Sequence, residues 1–108
     1  MTSKFFSEHW LDAKSGAPQG GVASGIGFTI SWQNGPLGRG TDRKEPNGAF
    51  VETIIAAVID RINVYQTTRF KCEENEKALE YLKQAAEVLQ SRTARREAQN
   101  VEGTLSGA

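Results

Sequence analysis

Two arginines one helical turn apart, Arg92 and Arg96, are the side chains best suited to binding chemistry in this sequence. On a helical wheel of about 100° per residue, both lie beside the apolar stripe of Leu82 and Leu89, whereas Arg95 points into water. Arginine on the core side of a helix is costly unless an anion or a planar group meets it. Two guanidinium groups at this spacing suit a phosphate or pyrophosphate, which each can bind in bidentate fashion. The alternative is that both pair with carboxylates at a helix end.

A second set of candidates lies at the other end of the same helix. Asn75 continues the apolar stripe, and Tyr65 and Phe70 bracket the turn before it. An aromatic ring beside an asparagine can stack a nucleobase and hydrogen-bond its edge, although such rings more often close a core. About 26 Å separates Asn75 from Arg92, at 1.5 Å per residue, so one small ligand cannot touch both within a chain. Antiparallel pairing of two copies would join them, which predicts a ligand site at a dimer interface.

Arg39 stands between two glycines in the segment Gly35–Gly40, which Arg43 and Lys44 follow. Glycine lets the backbone approach an anion closely while a side chain reaches over it. The segment lacks the Gly-Lys-Ser/Thr of a nucleotide P-loop, and a solvated connection between a strand and a helix is the alternative. Arg39 is therefore a candidate for a further phosphate contact.

The sequence offers little for catalysis or metal binding. It contains one histidine, His9, and one cysteine, Cys72. A metal site needs convergent ligands at a spacing that is absent, and one cysteine cannot form an internal disulfide. We expect a protein of a reducing compartment that is not an enzyme and holds neither a cofactor nor a metal.

Composition also restricts the partners. Lys plus Arg and Asp plus Glu both number 13, so no net charge draws the chain to nucleic acid or to an acidic membrane. No apolar run approaches the roughly 20 residues that span a bilayer, and the first ten residues lack the pattern of a secretory signal. We expect a protein that stays in the cell that makes it, with no nucleic-acid or membrane partner.

The 108 residues fit a single domain with three zones. Residues 1 to 47 contain all three prolines and most of the glycines, which predicts strands and loops. The clearest strand is 26 to 33, with one apolar face, and the stretch around Phe5, Phe6 and Trp10 is either a second strand or a short helix. The apolar face consists of Ile26, Phe28, Ile30 and Trp32.

Residues 48 to 98 predict a helical hairpin, so the fold class is α+β. Asn47 is a good N-cap, and the first helix should run from about 48 to 67 with a wide apolar stripe central to the core. The chain turns at Thr67 and Thr68, and a second helix runs from about 73 to 97. Residues 99 to 108 should form a loose tail.

Five segments of the sequence can be compared with known proteins: Trp32–Gly40, Pro46–Glu52, Cys72–Asn75, Leu89–Arg96 and Val101–Thr104. Together they resemble the small phage proteins of the first Thoeris anti-defence type, which act as signal sponges. The resemblance extends from about Gly25 to Thr104, and residues 1 to 24 match nothing in it.

The resemblance implies a small antiparallel sheet followed by two long helices, assembled as dimers or, in some members, as hexamers built from dimers. It implies binding of glycocyclic ADP-ribose without cleavage, in the cytoplasm of the infected host, and in some members cyclic di- and trinucleotides in separate pockets. Arg92 and Arg96 would grip the pyrophosphate, Asn75 would bind nearby, and either Tyr65 or Phe70 would stack the base. Arg39 is the candidate for a phosphate contact in the second kind of pocket.

The competing hypothesis is an oligomeric protein-interaction module without a small ligand. Its helical hairpin would dimerise into a four-helix arrangement, and Arg92, Arg95 and Arg96 would form a solvated basic end. Replacing Arg92 and Arg96 by glutamate separates the two hypotheses, because only a ligand-binding protein should lose its function.

Overall fold

The computed structural model describes residues 4–105, which form three strands followed by two helices. Strands β1 (Phe5–Leu11), β2 (Pro18–Gly25) and β3 (Phe28–Trp32) make one antiparallel sheet in the order β1-β2-β3. Helices α1 (Val51–Tyr65) and α2 (Glu73–Ala98) follow. The predicted α+β class is confirmed. Within the described residues, 4–50 and 99–105 belong to one compact unit and 51–98 to a second.

The N-terminal aromatic stretch is a strand, which decides between the two predicted possibilities. Its connection to β2 is organised by the carboxylate of Asp12, which accepts hydrogen bonds from the Ser15 N–H (2.8 Å) and the Ser15 hydroxyl (2.9 Å). The bond from the Ser15 N–H contributes most to lowering the pKa of Asp12 below its ordinary 3.8, and the Ser15 hydroxyl acts in the same direction. Gly16 follows with φ +72°, a left-handed conformation that favours glycine.

Strand β2 is rich in glycine because aromatic rings lie across it. A Cβ on Gly20 would be 2.8 Å from Trp10 Cε3, and one on Gly25 would be 2.6 Å from Phe28 Cε1. The rings therefore occupy the space that side chains of β2 would fill. With little side-chain volume of its own, β2 carries no strong apolar alternation, and sequence reasoning did not assign it as a separate strand.

Strand β3 is shorter than the predicted 26 to 33. Ile26 and Gly27 form the turn between β2 and β3, Gly27 with φ +84°, and the Ile26 side chain is fully exposed. The prediction that Ile26 belongs to the apolar face of the strand was wrong. Because apolar and polar residues alternate from Ile26 onward, the sequence predicted a strand that already starts there. The pairing of Gly25 with Phe28 shows instead that residues 26 and 27 form the turn.

Asn47 is not the N-cap of α1, because its side chain hydrogen-bonds to the backbone of Asn34 in the segment that follows β3. Its Oδ1 accepts the Asn34 N–H (2.8 Å) and its Nδ2 donates to the Asn34 carbonyl (3.0 Å), while its own N–H donates to Gln33 Oε1 (2.9 Å). Ala49 then bridges to Trp32 in parallel fashion. These contacts keep the chain extended, and α1 begins at Val51 rather than near 48.

The helical hairpin leaves most of its apolar side chains partly exposed. Helix α1 contains no buried residue, so the prediction that its stripe is central to the core was wrong for the single chain. Its side chains at Val51, Val58 and Val64 are 50%, 43% and 46% exposed. On α2 the buried residues are Leu79 and Arg96. One neighbouring helix is too narrow to cover an apolar arc as wide as that of α1.

Candidate ligand-binding site

The turn between the helices, 66–72, is built around the amide of Gln66. Its Oε1 accepts hydrogen bonds from the Cys72 N–H (3.2 Å) and from Asn75 Nδ2 (3.0 Å). Its Nε2 donates to the Cys72 carbonyl (3.1 Å) and to Glu76 Oε1 (2.8 Å). A primary amide has two donor hydrogens and an oxygen with two lone pairs, so all four are used. This network ties the end of α1 to the first turn of α2.

Asn75, half-buried in that first turn, has its amide nitrogen committed to the protein. One Nδ2 contact goes to Gln66 Oε1 and a longer one, 3.4 Å, to the carbonyl of Phe70. No residue in the described range 4–105 donates a hydrogen bond to Asn75 Oδ1. The side chain therefore offers an acceptor rather than a donor to anything that binds beside it.

The two aromatic candidates flank the same turn. Tyr65 ends α1 and is 38% exposed, and Phe70 lies in the turn and is 60% exposed. The Arg61 guanidinium lies 5.2 Å from the Tyr65 ring centroid, and that of Arg69 lies 4.8 Å from the Phe70 centroid. Arginine over one ring face leaves the other face for stacking, so both rings remain candidates.

The arginine pair is placed on the last turns of α2 with two different environments. Arg96 is buried, at 8% exposure, and it interacts with other groups of the chain, as a buried arginine almost always does. Arg92 is exposed and makes no hydrogen bond or ion pair within residues 4–105. Arg95 is exposed, as the wheel predicts. The prediction of two core-side arginines therefore holds for Arg96 alone.

The Asn75 and arginine groups lie on one unbroken helix, Glu73–Ala98. With a rise of 1.5 Å per residue, about 26 Å separates Asn75 from Arg92. A single chain does not bring them together. The structure does bring Asn75, Tyr65 and Phe70 to one turn, as the sequence predicts.

Arg39 is engaged with the C-terminal segment. Its Nη1 donates to the Glu102 carbonyl (2.8 Å) and lies 3.8 Å from the Glu102 carboxylate, while Arg43 binds that carboxylate with two nitrogens (2.6 and 3.0 Å). The Gly38 N–H donates to the carbonyl of Gly103 (2.7 Å). The prediction of a loose tail was therefore wrong for 101–105, and its last three residues lie outside the described range. Arg39 and Arg43 interact with a carboxylate, an anion like the phosphate that the sequence predicts for Arg39.

Sequence reasoning missed two residues that shape these candidates. Gln66 fixes the turn, and Glu102 occupies Arg39 and Arg43. Gln66 stands directly after the last residue of α1, a helix-end position where a polar side chain often caps, and that was the available signal. Glu102 gave no signal, because its partners are about 60 residues away in sequence. Within residues 4–105 no group of His, Cys, Asp and Glu side chains could hold a metal ion.

Comparison with known proteins assigns the chain to a family. No protein-family model matches it. The chain is 40% identical over 76 residues, 70% of its length, to the protein named Thoeris anti-defense 1 of Bacillus phage SBSphiJ7. The chain belongs to the Thoeris anti-defence family. The resemblance seen in the sequence is thereby confirmed at the level of the family.

This member of the Thoeris anti-defence family spans about half the length of that curated relative, whose matched region is 51% of it. None of the described helices of this Thoeris anti-defence protein is both long and apolar enough to cross a membrane.

Proposed function

We propose that this protein is a phage anti-defence sponge that binds glycocyclic ADP-ribose in the host cytoplasm and holds it without cleaving it. The observation that carries the proposal is the pair at the end of α2, with a buried Arg96 one helical turn from Arg92, which is exposed and makes no hydrogen bond or ion pair within residues 4–105. Such a pair presents two guanidinium forks to one dianion. Membership of the Thoeris anti-defence family supplies the class of signal.

The site would be shared between two copies. In an antiparallel dimer, the Asn75 end of one α2 would stand beside Arg92 and Arg96 of the other, giving two equivalent sites. Asn75 would bind the base edge, Tyr65 or Phe70 would stack the base, and the arginines would grip the pyrophosphate. The Asn75 group would thus bind the base and the arginine pair the pyrophosphate of the same nucleotide.

The exposed apolar side chains of the hairpin support this dimer. Val51, Val58 and Tyr65 lie within about 40° of one another on α1, and each is at least 38% exposed in the single chain. Apolar side chains aligned on one face lower the free energy when a partner covers them. A second copy would complete the core that the single chain leaves open, in a dimer or in a hexamer built from dimers.

Binding without cleavage follows from the chemistry of the proposed groups. The site would consist of an amide, an aromatic ring and two guanidinium groups. Arginine stays protonated and asparagine does not titrate, so neither acts as a general base near neutral pH. A sponge needs affinity alone, and ligand at 100 times Kd would stabilise the folded protein by about 2.7 kcal/mol.

Arg39 remains a candidate contact for cyclic di- or trinucleotides, in a second kind of pocket. A phosphate there would have to compete with Glu102, which the guanidinium already contacts at 2.8 Å through the backbone carbonyl. The Glu102→Gln variant keeps this carbonyl but removes the carboxylate charge 3.8 Å from Arg39 Nη1, so cyclic dinucleotides should bind more tightly to it.

The test is a calorimetric titration with glycocyclic ADP-ribose, followed by heat release and chromatography of the ligand. Tight binding with intact ligand recovered supports the sponge. Recovery of a cleaved product would make the protein an enzyme. Absence of binding to this ligand and to cyclic oligonucleotides would favour the interaction module, which the exposed apolar face of α1 also suits.

A further inference from the structure

The orientation of the Asn75 amide is fixed by groups that cannot be reversed. A backbone N–H only donates and a backbone carbonyl only accepts, so Cys72 determines which atom of the Gln66 amide is oxygen and which is nitrogen. The Glu76 carboxylate requires the same assignment, because its Oε1 lies 2.8 Å from Gln66 Nε2. Gln66 Oε1 then requires a donor from Asn75, which is Nδ2 at 3.0 Å.

Turning the Asn75 amide over would therefore carry a cost. Its Oδ1 would face Gln66 Oε1 and the carbonyl of Phe70, two acceptors with no hydrogen between them. A half-buried acceptor left without its donor loses about 1–3 kcal/mol. Asn75 thus presents Oδ1, and only Oδ1, to a ligand.

We propose that Gln66 is a positioning residue: by orienting Asn75, it makes the Asn75 part of the site selective for ligands that bear a hydrogen-bond donor. The inference rests on the proposed function and deepens it. The ligand class is a nucleotide whose base carries an exocyclic amino group, as adenine does, in preference to the same nucleotide without it. A site built to accept a hydrogen bond discriminates against an analogue that lacks the donor.

The experiment compares two ligands on the 108-residue chain. One is glycocyclic ADP-ribose, and the other is its purine counterpart, in which hydrogen replaces the exocyclic amino group. We expect the purine ligand to bind the unaltered protein about tenfold or more weakly. The purine ring keeps its N1 acceptor, so it regains affinity only if Asn75 can turn Nδ2 toward it.

Variants separate positioning from a merely structural role. Gln66→Met frees the Asn75 amide, and the ratio of the two Kd values should fall below about threefold. Glu76→Gln leaves the Gln66 amide and its two bonds to the Cys72 backbone in place, so it should retain the high ratio. Gln84→Met, whose contact is a 3.5 Å bond to Glu80, is the matched control and should change nothing.

Each outcome decides something. If both ligands bind the unaltered protein equally well, or if Gln66→Met keeps the high ratio, the inference is overturned while the proposed function stands. If neither ligand binds the unaltered protein, the proposed function fails and the inference fails with it. If circular dichroism shows that Gln66→Met is unfolded, Gln66→Ala takes its place, because it also removes the acceptor that orients Asn75 and should lower the ratio in the same way.

Discussion

Replacing Arg92 by glutamine is the sharpest test of a single side chain. Arg92 is exposed and makes no hydrogen bond or ion pair within residues 4–105, so its loss should change the stability of the empty protein by less than about 0.5 kcal/mol. If Arg92 binds a pyrophosphate oxygen, the variant loses a charge-assisted hydrogen bond, about 1.5–3 kcal/mol. The Kd for glycocyclic ADP-ribose should then rise about 10- to 150-fold.

The assay is isothermal titration calorimetry at low and at high salt, with thermal melting of the empty protein as the check on folding. Arg95→Gln is the matched control, because Arg95 is exposed on the same helical turn but lies about 60° farther from the arginine face. It removes the same net charge, so it reports the long-range electrostatic effect alone. Equal losses in both variants, or a loss below about threefold for Arg92→Gln, would refute direct contact with the phosphate.

Further predictions concern the sheet unit. Gly48→Ala should destabilise the protein by about 1–3 kcal/mol in urea unfolding, since a Cβ there would lie 2.6 Å from the carbonyl carbon of Trp32; unchanged stability would contradict the packing described. Glu102→Gln should lower the free energy of unfolding by about 1 kcal/mol, because it breaks the bidentate, partly exposed ion pair with Arg43. The stability of the variant should then depend less on salt, and an unchanged urea midpoint would show that this ion pair does not contribute to stability. The lowered pKa of Asp12 stabilises the first hairpin above pH 3.8, and this contribution should disappear as the pH falls through the lowered pKa. NMR titration of the hairpin amides measures it, and a midpoint at or above 3.8 would be inconsistent with the hydrogen bonds described.

The sequence predicts the elements that periodicity defines and fails where tertiary contacts decide. α2 matches its predicted range to within a residue, because apolar residues recur at three- and four-residue steps from Leu79 to Leu89 and no glycine or proline interrupts the helix. Asn47 has the side chain of an N-cap, yet Asn34 binds it on both sides, and no local pattern reveals a partner 13 residues away. Ile26 fits the alternation of β3, but the pairing with β2 places it in the turn.

The candidate site divides in the same way. Arg96 could be assigned from the wheel, because its burial follows from its position relative to Leu89, whereas Arg92 lies near the edge of the stripe and is exposed. The role of Gln66 could not be assigned, since it depends on the backbone of Cys72 folding back over it. The small, polar composition of the tail predicted a loose segment. The tail is ordered at 101–105 because Glu102 binds Arg39 and Arg43, which are distant in sequence.

The most direct test of the shared site is complementation between two inactive variants. Asn75→Ala lacks the proposed contact with the base, and Arg92→Gln lacks a proposed contact with the pyrophosphate. Homodimers of either variant should therefore bind glycocyclic ADP-ribose weakly. A heterodimer of the two variants can be purified after co-expression with different tags. One of its two sites should contain both an intact Asn75 and an intact Arg92, so the heterodimer should bind one ligand with the affinity of the unaltered protein. A heterodimer that binds no better than the two variants alone would contradict a ligand held between two copies.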